Sequence, residues 1–157
     1  MEIIVAGLIA GVVGTLMMDS LNFLFARIGV ISKIDMRIIG RMAVGWSKGR
    51  FRYNHPEDME SVTHEMGDGY LTHYTIGAGH TIPFMIGSAL LVGGPPSPAC
   101  ALVYGVAPPA ASLFFVSPSM GFGMFGPRSP EGIKSPLSSL ANHTFFGAGI
   151  AIAVAFM

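Results

Sequence analysis

Four apolar runs, each about as long as a bilayer is thick, leave this chain very few folds. They cover residues 3–26, 70–92, 99–117 and 136–157. An α-helix rises 1.5 Å per residue, so about 20 residues cross the hydrocarbon core. Only 11% of the 157 residues are charged and 51% are hydrophobic, whereas a soluble domain carries about 25% charged residues. The reading is an all-α integral membrane protein, with residues 1–157 forming a single domain of four transmembrane helices. The first run is too long for a signal-peptide core and begins Met1-Glu2 instead of with basic residues, so it reads as a retained span.

The loops carry the orientation. Arg27, Lys33, Arg37, Arg41, Lys48, Arg50 and Arg52 lie between runs one and two, and Arg128 and Lys134 between runs three and four. These are all nine Lys and Arg residues of the chain. With four spans the two loops share a face, and the positive-inside rule makes that face cytoplasmic and puts both termini on the other side.

Polar residues inside the runs are the main functional clue. Asp19, His73, His80 and His143 are each costly at membrane depth, by about 2.5–3.5 kcal/mol on insertion scales, and so call for a partner, a cavity or a role. Counting along the helices puts all four in the cytoplasmic half of the bilayer. Thr15, Asp19 and Asn22 share one helical stripe, as do His73, Gly77 and His80, and Ser139 with His143. Lipid offers these stripes no partner, so they should face the bundle interior. Gly7, Gly11 and Gly14 in the first run, and Gly77 and Gly79 in the second, are small residues of the kind that let membrane helices pack closely.

The third run has Pro108 and Pro109 at its centre, where each ring removes a backbone donor and displaces a carbonyl one turn back. A broken or kinked third helix is expected. The following residues 117–130 are too rich in Gly and Pro for regular helix and too apolar for a solvated loop, and read as a re-entrant or interfacial segment. In the long loop, Ile34, Ile38, Ile39, Met42 and Trp46 oppose Lys33, Arg37, Arg41 and Lys48 at helical spacing, the pattern of an amphipathic helix lying in the membrane interface. The second half of that loop, residues 55–68, is acidic. His64 and Asp68 there have the spacing of a cation-binding pair, although a solvated charged loop accounts for them as well.

Several chemistries lack their signatures. There is no HExxH, Walker loop, CxxC or GxSxG, and the first-run glycines make no dinucleotide fingerprint. Net charge is zero and the basic residues follow the membrane surface, which argues against nucleic-acid binding. The single cysteine, Cys100, can form no internal disulfide. An enzyme is conceivable only if the buried Asp and His act as acid and base on a lipid-soluble substrate, and no motif argues for it.

Gly14-Thr15-Leu16-Met17-Met18-Asp19, Gly49-Arg50-Phe51, His73-Tyr74 with Gly77, Pro118 with Met120-Gly121-Phe122-Gly123, Ser129-Pro130, and His143 with Phe146-Gly147 occur in this order along the chain. Together they resemble the bacterial four-span membrane proteins catalogued as domain of unknown function 2938. The resemblance implies a four-helix inner-membrane fold with Asp19, His73 and His143 at motif positions; His80 lies outside them. It implies no activity.

Three roles follow. In the first, the chain is a non-enzymatic accessory or scaffold subunit of a larger membrane complex, or of a homo-oligomer, with the Asp and His side chains bonding across helices. In the second, Asp19, His73 and His143, with His80, bind a transition metal or haem, since imidazole and carboxylate suit such ligands. In the third, the same residues serve ion, proton or small-solute transport.

Overall fold

The computed structural model describes residues 2–157; Met1 lies outside them. All regular structure among the described residues is helical. Helix α1 spans Glu2–Arg27, α2 Met36–Ser47 and α3 Glu65–Val92. The third apolar run is built in pieces: α4 (Pro98–Tyr104), α5 (Pro108–Ala111), a π-helical turn (Ser112–Val116) and α6 (Ser117–Ser119). Helix α7 spans Lys134–Ala155. Four stretches, Glu2–Arg27, Glu65–Val92, Pro98–Ser119 and Lys134–Ala155, are long and apolar enough to cross a membrane.

The second span starts five residues before the hydropathy pattern suggests, at Glu65. Glu65 and Asp68 occupy its first turn, where the helix dipole favours carboxylates, so polar residues extend the helix beyond its apolar length. At its other end Gly93 takes a left-handed conformation, φ +76°, and closes the helix by bonding back to the Ala89 carbonyl at 3.1 Å.

Helix α1 is the hub, packing on both α3 and α7, while α4 packs on α7. Glycine makes these approaches possible. A Cβ on Gly11 would lie 2.7 Å from Ala78 Cα, one on Gly149 2.7 Å from Gly14 Cα, and one on Gly105 2.7 Å from Gly147 Cα. The ring closes where Phe84 of α3 stacks on Tyr104 of α4, with centroids 4.0 Å apart, and Tyr104 Oη donates to the His80 carbonyl at 2.8 Å. Ala10, Met18, Met85, Ala101, Phe146 and Ile150 fill the core between the helices.

Helix α2 is capped by Asp35, whose carboxylate accepts from Arg37 N at 2.9 Å. It docks on α3, with Gly40 pressed on the Glu65 backbone and Gly69 on that of Met36. Arg41 clamps Glu65 through Nε and Nη2. Much of the apolar face of α2 therefore meets protein. Met42 is fully buried and joins Tyr53 and Met59 in a second small core, with Val116 and Met120 against it.

Residues 117–130 fold under the bundle against the long loop. Ser119 Oγ donates to the Phe51 carbonyl at 2.8 Å and Arg128 Nη1 to that of Asn54 at 3.0 Å. Gly121, at φ +82°, lets this segment meet the His55 backbone where any side chain would clash.

Replacing Gly11 by Val should lower stability by about 1–3 kcal/mol, because the added atoms overlap Ala78 with no space to relax. Gly79 is the control, since a Cβ there would meet nothing within 4 Å: Gly79→Ala should be neutral or stabilising by up to about 1 kcal/mol. Denaturant unfolding in mild detergent measures both, and equal responses would remove glycine packing as the organising contact.

Candidate functional site

His73 and His80 on α3 and His143 on α7 line one cavity of about 720 Å³. Its wall includes Pro108 and Ser112 of the third run and Ser138, Ser139, Asn142 and Phe146 of α7. Its mouth is at the loop-bearing end, among the exposed residues Lys33, Arg37, Glu57 and Glu131. The spacing of the histidines explains their meeting: residues 73, 77 and 80 share a face of α3, and Gly77 leaves that face open between the two rings.

Asp19 reaches this site through His73. Its Oδ1 lies 3.0 Å from His73 Nε2, with the Asp19 side chain 18% and that of His73 13% exposed. When the Asp19 carboxylate is ionised it only accepts, and Nε2 then donates and leaves Nδ1 for other work. Asp19 Oδ2 is buried and makes no hydrogen bond among the described residues. Asp19 also lines a second, smaller cavity, which shares Lys33, Ile34, Met36 and Tyr70 with the first. The Asp19–His73 contact thus joins a residue of one lining to a residue of the other.

His143 is held differently. Its Nδ1 lies 2.7 Å from the Ser139 carbonyl oxygen one turn earlier. A carbonyl cannot donate, so Nδ1 carries a proton and, in the neutral ring, Nε2 keeps its lone pair. His80 makes no ring hydrogen bond among the described residues and meets the site as a lining group.

A structural metal site needs about four donors and a catalytic one about three. Among the described residues no three His, Cys, Asp or Glu side chains are grouped in that way. Asp19 and His73 form a pair, His143 bonds its own helix, and His80 stands beside them. His64 and Asp68 are joined through the helix backbone, Asp68 N donating to the His64 carbonyl at 2.9 Å.

The cavity also has a buried polar frame, of which sequence reasoning named only Asn22. Asn142 is 5% exposed and its Oδ1 accepts from Asn22 Nδ2 at 3.1 Å. Ser138 Oγ accepts from Ser32 N at 2.7 Å and donates to the Lys134 carbonyl. A signal was available, because Ser138 and Asn142 are one turn apart on α7. At the mouth, Ser32 Oγ donates to Glu131. That hydroxyl, and then Lys134, hold the Glu131 carboxyl below the usual carboxylate range. A depressed folded pKa stabilises above that range and is lost as pH falls through it, and at this exposed site the effect is small.

The family model described as "Protein of unknown function (DUF2938)" matches residues 8–157. The chain belongs to this family. No curated protein and no solved structure matches it. The DUF2938 match covers every residue that builds the cavity, from Met18 to Phe146.

Two measurements test this geometry. In 15N spectra of histidine-labelled protein, neutral His143 should show the Nδ1–H tautomer, and an Nε2–H tautomer would refute its bond to Ser139. A double-mutant cycle of Asp19→Asn and His73→Gln should give a coupling of about 0.6–1.7 kcal/mol, the span of interhelical hydrogen bonds in membranes, and no coupling would mean that the pair is not made.

Proposed function

We propose that the protein is a small inner-membrane carrier that loads a small solute from the cytoplasm, with the Asp19–His73 pair serving as a proton site that cycles with or without the solute. The observation that carries this reading is the cavity of about 720 Å³ that brings His73, His80 and His143 to one space reachable from the basic end of the bundle. All Lys and Arg residues lie in the loops at that end or at the helix ends beside them, which supports a cytoplasmic mouth and termini on the far side. Intramembrane Asp and His residues that face a cavity are parts of known proton paths.

The third span supports the same reading. Its helix is interrupted at residues 105–107, between α4 and α5, and we attribute the break to Pro108 and Pro109, which supply no N–H. The π-turn that follows places Ser112 on the cavity wall, and π-turns frequently mark functional sites. Helix α2 and the segment after α6 then lie at the membrane surface and frame the mouth.

A second reading, an accessory subunit of a larger complex, draws support from the short connection of residues 93–97 between α3 and α4, which leaves little chain outside the membrane on that face. Stoichiometric co-purification of other membrane subunits in mild detergent favours it over the carrier. A cofactor reading makes a different forecast, near-stoichiometric metal or a haem absorption band that disappears in His143→Ala.

Two experiments test the carrier. In a Cys100→Ser background, Ser112→Cys and Ser139→Cys should react with a membrane-impermeant thiol reagent in inside-out vesicles and not in right-side-out ones; the reverse pattern refutes a cytoplasmic mouth. In proteoliposomes holding a pH dye under an imposed potential, the unloaded carrier should admit protons above the rate of empty vesicles. Asp19→Asn should cut that rate at least tenfold, and a wild type no faster than empty vesicles removes the proton-handling role.

A further inference from the structure

The smaller cavity, about 440 Å³, lies between the end of α1 and the chain that follows it. We propose that it is a binding site for the phosphate group of an anionic phospholipid, held by Arg27 and Lys33.

The two cations are brought together by a built device. Gly29, at φ +78°, turns the chain back after α1, with Gly29 N and Val30 N bonded to the Ala26 and Phe25 carbonyls at 3.0 Å each. Asn22, 4% exposed, then grips both neighbours of Lys33: its Nδ2 donates to the Ser32 carbonyl at 2.9 Å and its Oδ1 accepts from Ile34 N at 3.2 Å. The backbone of Lys33 is thereby fixed beside the last turns of α1, where Arg27 ends the helix. Both cationic side chains line the cavity, and neither has an ion pair or a side-chain hydrogen bond among the described residues. Both are exposed at the cavity rim and free to meet an anion.

The rest of the lining suits a lipid chemically. Arg27 closes a membrane-spanning helix, so the cations lie at headgroup depth. Tyr70 lines the same cavity and is exposed, with a phenol that can donate to a phosphate or glycerol oxygen, as tyrosines do at membrane interfaces. Phe23 and Ala26 form its wall on the outer side of α1, with Phe23 exposed, and offer an apolar track for an acyl chain. Asp19 is the one carboxylate in the lining. It lies eight residues before Arg27, roughly 12 Å deeper along the helix, and its Oδ1 is engaged by His73. A phosphate at the level of Arg27 and Lys33 therefore meets the cations well before it meets that charge. Basic pockets beside membrane helices on the cytoplasmic side recognise anionic headgroups in this way.

The test uses the full chain in mild detergent with three probes: short-chain phosphatidylglycerol, phosphatidylcholine of the same chain length, and inorganic phosphate. Native mass spectrometry reads lipid binding. The double variant Arg27→Gln/Lys33→Gln should weaken phosphatidylglycerol binding about 30-fold, two cations at about 1 kcal/mol each. Lys48→Gln/Arg52→Gln removes the same charge from exposed loop positions lining neither cavity and should stay within about threefold of wild type. Equal weakening by the two double variants would overturn the proposal in favour of general charge attraction. Phosphatidylcholine binding as tightly as phosphatidylglycerol would overturn the anionic requirement, and displacement of the lipid by equimolar inorganic phosphate would reassign the site to a soluble anion.

Discussion

The close approach of α1 to α3 and α7 is the contact on which the remaining structure depends. In lipid the hydrophobic effect gives helices little reason to associate, so packing and interhelical hydrogen bonds must do so. At Gly11 and Gly14 the helix surfaces come so near that backbone meets backbone. Polar groups there are satisfied locally: Thr15 and Thr81, both fully buried, donate to the Gly11 and Gly77 carbonyls of their own helices at 2.8 and 2.9 Å. The tight contact on one side of the ring leaves room on the other, where the third run approaches α7 through Gly105 and Gly147 and then departs from regular helix. The large cavity occupies that room.

Part of its polar lining is held by bonds that do not involve the histidines. Asn22 links α1 to α7 through Asn142 and to the loop through Ser32 and Ile34, so one buried amide ties together two helices and the first turn after α1. The same amide sets the position of Lys33 in the smaller cavity. Removing it would leave several backbone and side-chain groups without partners, a larger penalty than the loss of one bond. The Asp19–His73 pair touches both cavities, Asp19 lining the smaller and His73 the larger.

The loops belong to the fold as much as the spans do. Helix α2 docks on α3 through glycine contacts and the Arg41–Glu65 pair, and the segment after α6 bonds to the chain at Phe51 and Asn54. These contacts close the bundle at its basic end and give the cavity a defined mouth at residues such as Glu57 and Glu131.

Hydropathy and charge placement alone determined the helical class, the number of apolar spans and the residues worth watching, because burial in lipid imposes its rule on each segment separately. The stripe of Thr15, Asp19 and Asn22, and that of His73 and His80, were legible for the same reason: helical spacing is local. Which stripe meets which was not local. That Asp19 pairs with His73 while His143 turns to Ser139, that Asn22 is met by Asn142, and that the apolar face of α2 closes on Tyr53 and Met59 all follow from how far neighbouring helices can approach. That distance is set by glycines on two helices at once, such as Gly14 with Gly149 and Gly105 with Gly147. No single segment carries that information, so only the tertiary structure decided which polar groups share a cavity and which stand apart.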